Sequence, residues 1–144
     1  MNDLREASIA LILANQAPTG GYIASPNFKV YSYSWYRDGA FIAYAMQLVG
    51  ELKSAEKFHD WAAFNLNSRA TKITDLINKK IVGEQINPED HLHCRYTLDN
   101  QDSSEDWTNY QLDGFGTWLW SLNEFFSGSG EIKLEYISAA ELAI

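Results

Sequence analysis

Arg37-Asp38-Gly39-Ala40-Phe41 is echoed along the chain by Leu112-Asp113-Gly114-Phe115, so that Asp-Gly-(Ala)-Phe twice opens an apolar helical run. The two aspartates stand 75 positions apart. Asp38 has the residue type of an N-cap, and Gly39 to Val49 is apolar almost all round before Gly50 closes it, which predicts a buried helix. From Gln111 a second such helix, apolar on Leu112, Phe115, Leu119, Leu122 and Phe126, runs into a flexible Ser127-Gly128-Ser129-Gly130 turn. Between them one helical stretch is expected from about Ser54 to Val82, apolar on Phe58, Ala62, Leu66, Ile73, Leu76 and Ile77. His59, Asp60, Lys72 and Lys79 make its other face polar, so it belongs on the outside. Residues 3–16 form a first helix, with a stripe of Leu4, Ala7, Leu11 and Ala14 and a capping-box spacing at Asp3 and Glu6, ended by Pro18, Gly20 and Gly21. A last helix runs from Glu131 to Ile144. The order is outer, inner, outer, inner, outer, the pattern of helical hairpins with buried inner members. It reads as an all-α chain, part of an α/α toroid.

The length of 144 residues fits one domain, 1–144. Apolar residues at 46% and charged residues at 21% describe a globular chain, neither disordered nor fibrous. Nineteen carboxylates against eleven Lys and Arg give a net charge of −8, which argues against nucleic acid and anionic membranes as partners. The longest apolar stretch, Ile9 to Ala14, is far short of the ~20 residues that cross a bilayer. A single cysteine, Cys94, and a start without a basic n-region make the cytoplasm the expected address.

Seven Phe, eight Tyr and five Trp are present, and several sit among polar groups instead of following a core period. The densest cluster is Tyr31-Ser32-Tyr33-Ser34-Trp35-Tyr36-Arg37-Asp38-Gly39. In an extended segment its alternation points Tyr31, Tyr33 and Trp35 one way and the two serines the other. Flat rings suit the C–H face of a pyranose, and an Arg beside an Asp hydrogen-bonds its hydroxyls with direction. The residue types equally fit a packing account, in which Asp38 is an N-cap, Arg37 its ion-pair partner and the aromatics core. A second cluster, Trp107, Tyr110, Gln111 and Asp113, precedes the second inner helix, which would bring it to the same end as Arg37 and Asp38; Gly114 and Gly116 permit close backbone approach. Packing alone accounts for it as well.

Other signals are weaker. Residues 84–110 show no helical period, and loops that long are usually functional. His91, His93 and Cys94 lack the further ligands a zinc site needs, so no metal is assigned and Cys94 is expected as a buried thiol. Asp99, Asp102, Glu105 and Asp106 lack the ligand spacing of an EF-hand and read as a solvated loop.

Tyr31-Ser-Tyr-Ser-Trp35-Tyr-Arg37-Asp38-Gly39, preceded by Gly21-Tyr-Ile-Ala-Ser-Pro26 and followed by Gln111-Leu-Asp113-Gly-Phe-Gly116, resembles the N-terminal part of the catalytic domain of glucoamylase-like glycoside hydrolases, family 15. The resemblance runs over roughly residues 5–125. It implies an (α/α)6 barrel with the pocket at the N-terminal ends of the inner helices. It also implies that Tyr31 matches a tyrosine stacking beneath the terminal glucose, that Arg37 and Asp38 match the pair on its hydroxyls, and that Trp35 and Trp107 line the same pocket. Gln111 and Asp113 belong to the second signature. The family cleaves terminal α-glucosidic bonds with inversion and needs no cofactor; an acid protonates the leaving oxygen and a base, ~6.5–9.5 Å away, activates water. Both lie further along the family's chain than residue 144, so no glutamate here takes either role.

At ~75 residues per helix pair, six pairs need roughly 450 residues, so this chain holds about two of the six hairpins. Inner-helix faces left bare cost on the order of 25 cal/mol per Å². The expectation is therefore a fragment that binds α-linked glucosides or oligosaccharides, does not hydrolyse them alone, and associates with itself or a complementary chain through those faces. A non-catalytic carbohydrate-binding or regulatory module is the alternative. A purely helical interaction domain is a third reading.

Overall fold

The computed structural model describes residues 2–104, 110–129 and 132–144, and small residues on two helices set its centre. These are α2 (Tyr36–Leu48) and α5 (Leu112–Ser129), which pack against each other. A Cβ on Gly39 would come within 2.1 Å of the Phe58 ring, and one on Gly114 within 3.3 Å of Tyr36 Cβ. At Gly39 the glycine is thus a packing requirement, admitting the Phe58 ring against the backbone, while at Gly114 it eases a tight approach to Tyr36. Gly116, by contrast, faces open space. Further along the same seam the Ser121 hydroxyl donates to the Ala40 carbonyl (3.0 Å) and Gln47 Nε2 to the Glu124 carbonyl (2.9 Å).

The other helices are α1 (Asn2–Ala14), α3 (Leu52–Asn67), α4 (Ala70–Val82) and α6 (Leu134–Ala143). α3 packs on α2 and α6, so the all-α, partial-toroid order of inner and outer helices holds. Tyr36, the first residue of α2, is the hub of the core: its ring meets Trp61, Tyr96, Phe115 and Trp118, and its hydroxyl donates to the Ala62 carbonyl at 2.9 Å. Tyr22, Phe58 and Trp61 continue the stack towards α1.

Several sequence expectations change. The stretch 54–82 is two helices, because Ser68 and Arg69 leave helical continuity and Arg69 takes non-helical angles ahead of α4. α3 keeps an exposed stripe of Lys53, Lys57, Asp60 and Phe64, but His59, expected on its polar face, is buried along with Phe58, Trp61, Asn65 and Leu66. α1 turns its predicted stripe to solvent and packs through Ile9 and Ile12. The helix is apolar on two sides, and Gln16 decides between them by bonding to Ser54 at the head of α3. α2 is buried on one side only; Phe41 and Leu48 are exposed. Residues 127–129 continue α5 as helix, while Gly130 and Glu131 lie outside the described residues. The 84–110 stretch is not structureless where described: it holds a 3-10 turn at Pro88–Asp90 and a strand, β2 (Arg95–Tyr96).

β2 pairs antiparallel with β1 (Ser34–Trp35), matching Ser34 with Tyr96 and Trp35 with Arg95. On the other side, Ala24 N–H donates to the Tyr33 carbonyl (2.9 Å) and Ser25 N–H to the Tyr31 carbonyl (3.2 Å). The aromatic segment ahead of α2 is therefore held from both edges.

Candidate functional site

Trp35 is the N-cap of α2, with extended backbone angles, and Tyr36, Arg37 and Asp38 form its first turn. Asp38 is thus inside the helix and not its cap, as the sequence pattern had it. It keeps the favourable place of an acid in a first turn, where backbone N–H dipoles point outward. Because Tyr36 plunges into the core, its neighbour Arg37 is carried to the surface. The Arg37 and Asp38 side chains are 42% and 47% exposed, with Nε and Oδ2 3.9 Å apart.

Asp113 sits in the first turn of α5, and its Oδ2 accepts from Arg37 Nη1 at 2.8 Å. Close packing of the two inner helices, in which Gly114 lies against Tyr36 and the Arg37 backbone, makes this contact across 76 positions of sequence. Asp113 raises the Arg37 pKa above its ordinary value, chiefly through that hydrogen bond. Asp113 therefore stands at the same end of the molecule as Arg37 and Asp38. Gln111 stands just before α5, half-buried, its Oε1 buried without a hydrogen-bond partner among the described residues. Trp107 lies outside the described residues.

The aromatic segment is not one extended strip. Tyr31 ends a 3-10 turn, Lys29–Tyr31, and is 42% exposed, whereas Trp35 is buried beside it with ring centroids 6.0 Å apart. Tyr33 meets Trp35 edge-on at 6.1 Å. The three rings still gather on one side, and Ser34 is buried on the other. Beneath them lies Arg95, fully buried, its guanidinium 4.3 Å from the Tyr33 ring and 5.3 Å from the Trp35 ring. Sequence reasoning passed over Arg95 because a two-residue strand has no readable alternation. Its one signal was a cation next to an aromatic in a stretch otherwise rich in acids.

From Asp113 an open groove of about 500 Å³ runs down between α2 and α5, lined by Phe41, Gly116, Thr117 and Trp120. A larger hollow, about 710 Å³, lies away from this end along α4, and the Lys79–Asp90 ion pair at 2.6 Å occupies its wall. Cys94 is buried, and burial raises its thiol pKa, which disfavours a nucleophilic thiolate. No helix among the described residues is long and apolar enough to cross a membrane.

Residues 4–141 match Glycosyl hydrolases family 15. The chain belongs to this family. Within it, the chain is 38% identical over 123 residues to an isomaltose glucohydrolase of Kribbella flavida, a match covering 85% of this chain and 32% of that protein. Solved structures of a glycosidase, the wild type and a variant in complex with glucose, superpose with a TM-score of 0.91 at 34% identity. Those matches cover 98% of this chain and 38% of the glycosidase. The chain thus spans about a third of the length of these relatives.

Proposed function

We propose that this chain is the N-terminal part of an inverting glycoside hydrolase acting on terminal α-glucosidic bonds. In this reading Tyr31, Trp35, Arg37, Asp38, Trp107, Gln111 and Asp113 form the wall that holds the terminal glucose. The observation that carries it is the Arg37–Asp113 contact at 2.8 Å, which joins the heads of two inner helices in solvent. An arginine and two carboxylates at one exposed end, with the exposed Tyr31 ring 6.0 Å from the α2 N-cap Trp35, supply the donors, acceptors and flat ring that a pyranose requires. The acid and base of the inverting reaction come, in this account, from the part of the family's chain beyond the third matched here. Isomaltose, the substrate in the name of the Kribbella flavida relative, is the first sugar to test.

Calorimetric titration of isomaltose and glucose into the chain, into Arg37→Ala and into Asp38→Ala decides the point. An exposed ion pair such as Arg37–Asp113 contributes about 0.2–1 kcal/mol to stability. Both variants are therefore expected to keep the thermal midpoint within a few degrees while sugar binding falls at least tenfold. Unchanged affinity in both would favour a helical interaction domain. Turnover by the chain alone would show that acid and base are already present.

A further inference from the structure

Arg95 is a cation with no exposed surface, set directly under the segment that carries Tyr31 and Trp35. Its guanidinium stacks on Tyr33 at 4.3 Å and reaches Trp35 at 5.3 Å. Nη1 donates to the Val30 carbonyl at 3.4 Å, immediately before Tyr31. The strand pairing fixes where the side chain starts, because Trp35 is the cross-strand partner of Arg95. All of these contacts fall within residues 30–35. Tyr33 and Trp35 meet edge-on, and Trp35 in turn meets the exposed Tyr31, so the guanidinium plane is coupled through two rings to the outermost one.

Removing a guanidinium from water is costly, and an apolar side chain would fill the same space more cheaply. What an apolar residue or a lysine does not supply is a flat cation that fits against a ring face and donates along its edge at the same time. Resting on the sugar-binding reading above, we propose that Arg95 is a positioning residue for the glucose site. It fixes the planes of Tyr33 and Trp35 and the Val30–Tyr31 turn, and so sets the height and tilt at which the Tyr31 face meets a sugar ring. Arg95 itself, being buried, does not touch the sugar.

The test is an isomaltose titration followed by two-dimensional NMR on the full chain, comparing wild type with Arg95→Lys, Tyr33→Leu and the double variant. Arg95→Lys keeps the charge and loses the plane; Tyr33→Leu keeps Arg95 and loses the ring it stacks on. Each is expected to weaken the dissociation constant about tenfold while a cooperative thermal transition remains. The double variant is expected to lose no more than either single change, because both break one coupling. If Arg95→Lys fails to fold, Tyr33→Leu carries the same comparison against wild type. Affinity in Arg95→Lys or Tyr33→Leu equal to wild type, or losses that simply add, overturns the role of Arg95 and leaves the sugar site standing. A wild-type chain that gives no isomaltose-dependent shifts overturns the sugar reading itself, and the role of Arg95 falls with it.

Discussion

Gly39 is where a single hydrogen matters most. The Phe58 ring, itself fully buried, occupies the volume a methyl group would need, so Gly39→Ala forces an overlap that the ring has little room to relieve. The alanine gains up to ~1 kcal/mol in helix propensity but is expected to lose about 1–3 kcal/mol net to overpacking. Phe58→Leu removes the ring atoms it meets, so chemical denaturation of the double variant should show a smaller loss than the sum of the singles. His59 is the second residue to watch. It is buried beside Phe125 and Tyr136, and burial lowers its pKa to about 4, with Asp60 acting to raise and Lys133 to lower it. The unfolded chain takes up that proton near pH 6.5 and the folded one only near 4, so stability is full above pH 6.5 and falls as pH drops towards 4. The loss amounts to about 3 kcal/mol. Urea midpoints between pH 7 and pH 4 should show this slope in the wild type and a clearly shallower one in His59→Leu; equal slopes would place the pH response in other groups.

At the scale of elements, the break between α3 and α4 ties the long 84–110 segment to the core. Arg69 donates from Nε and Nη2 to Asp102 (2.9 and 2.7 Å), from Nη2 to the Asn100 carbonyl (2.9 Å), and lies 4.1 Å over the Tyr96 ring. Asn100, at φ 64°, holds the turn between them. Arg69→Ala is expected to cost about 1.5–3 kcal/mol, the range for hydrogen bonds to a charged group. It should also raise amide hydrogen exchange first in residues 97–102; exchange that rises uniformly through α3 and α5 instead would mean that Arg69 supports the core at large. What the sequence made legible follows the same division. The inner helices could be read because Asp-Gly followed by an apolar run is a local signal. The α3–α4 break was hidden because the apolar period persists through Asn67-Ser68-Arg69. α1's buried face was settled by Gln16 reaching Ser54, a contact no helical period reports. In the site, Arg37, Asp38 and Asp113 were marked by residue type and spacing. Their joining depends on helix packing, and Arg95 lies on a strand too short to leave a pattern.

For the molecule as a whole, the inner side of α2 and α5 is left bare: Phe41 is 56%, Leu48 66% and Trp120 39% exposed. Phe41 and Tyr44 meet Trp120 as tilted rings, with centroids 5.7 and 4.8 Å away, and make an aromatic surface along the open groove. Apolar area of this kind favours association at roughly 25 cal/mol per Å² covered. We propose that the chain self-associates through it when no complementary chain is supplied. Sedimentation should show concentration-dependent dimers or larger species that Phe41→Gln shifts towards monomer with no loss of thermal stability. A wild-type chain that stays monomeric at its highest soluble concentration would contradict this.

The central claim is that the heads of the two inner helices form one surface for a glucose ring. Two-dimensional NMR of the wild-type chain, labelled with nitrogen-15 and titrated with glucose, reports on it directly. Saturable shifts are expected at the Trp35 indole, the Arg37 Nε and the Gln111 side-chain amide, with the buried Trp118 indole unmoved. Shifts that fail to saturate, or that appear along α4 and α6 while Arg37 and Gln111 stay still, would contradict it.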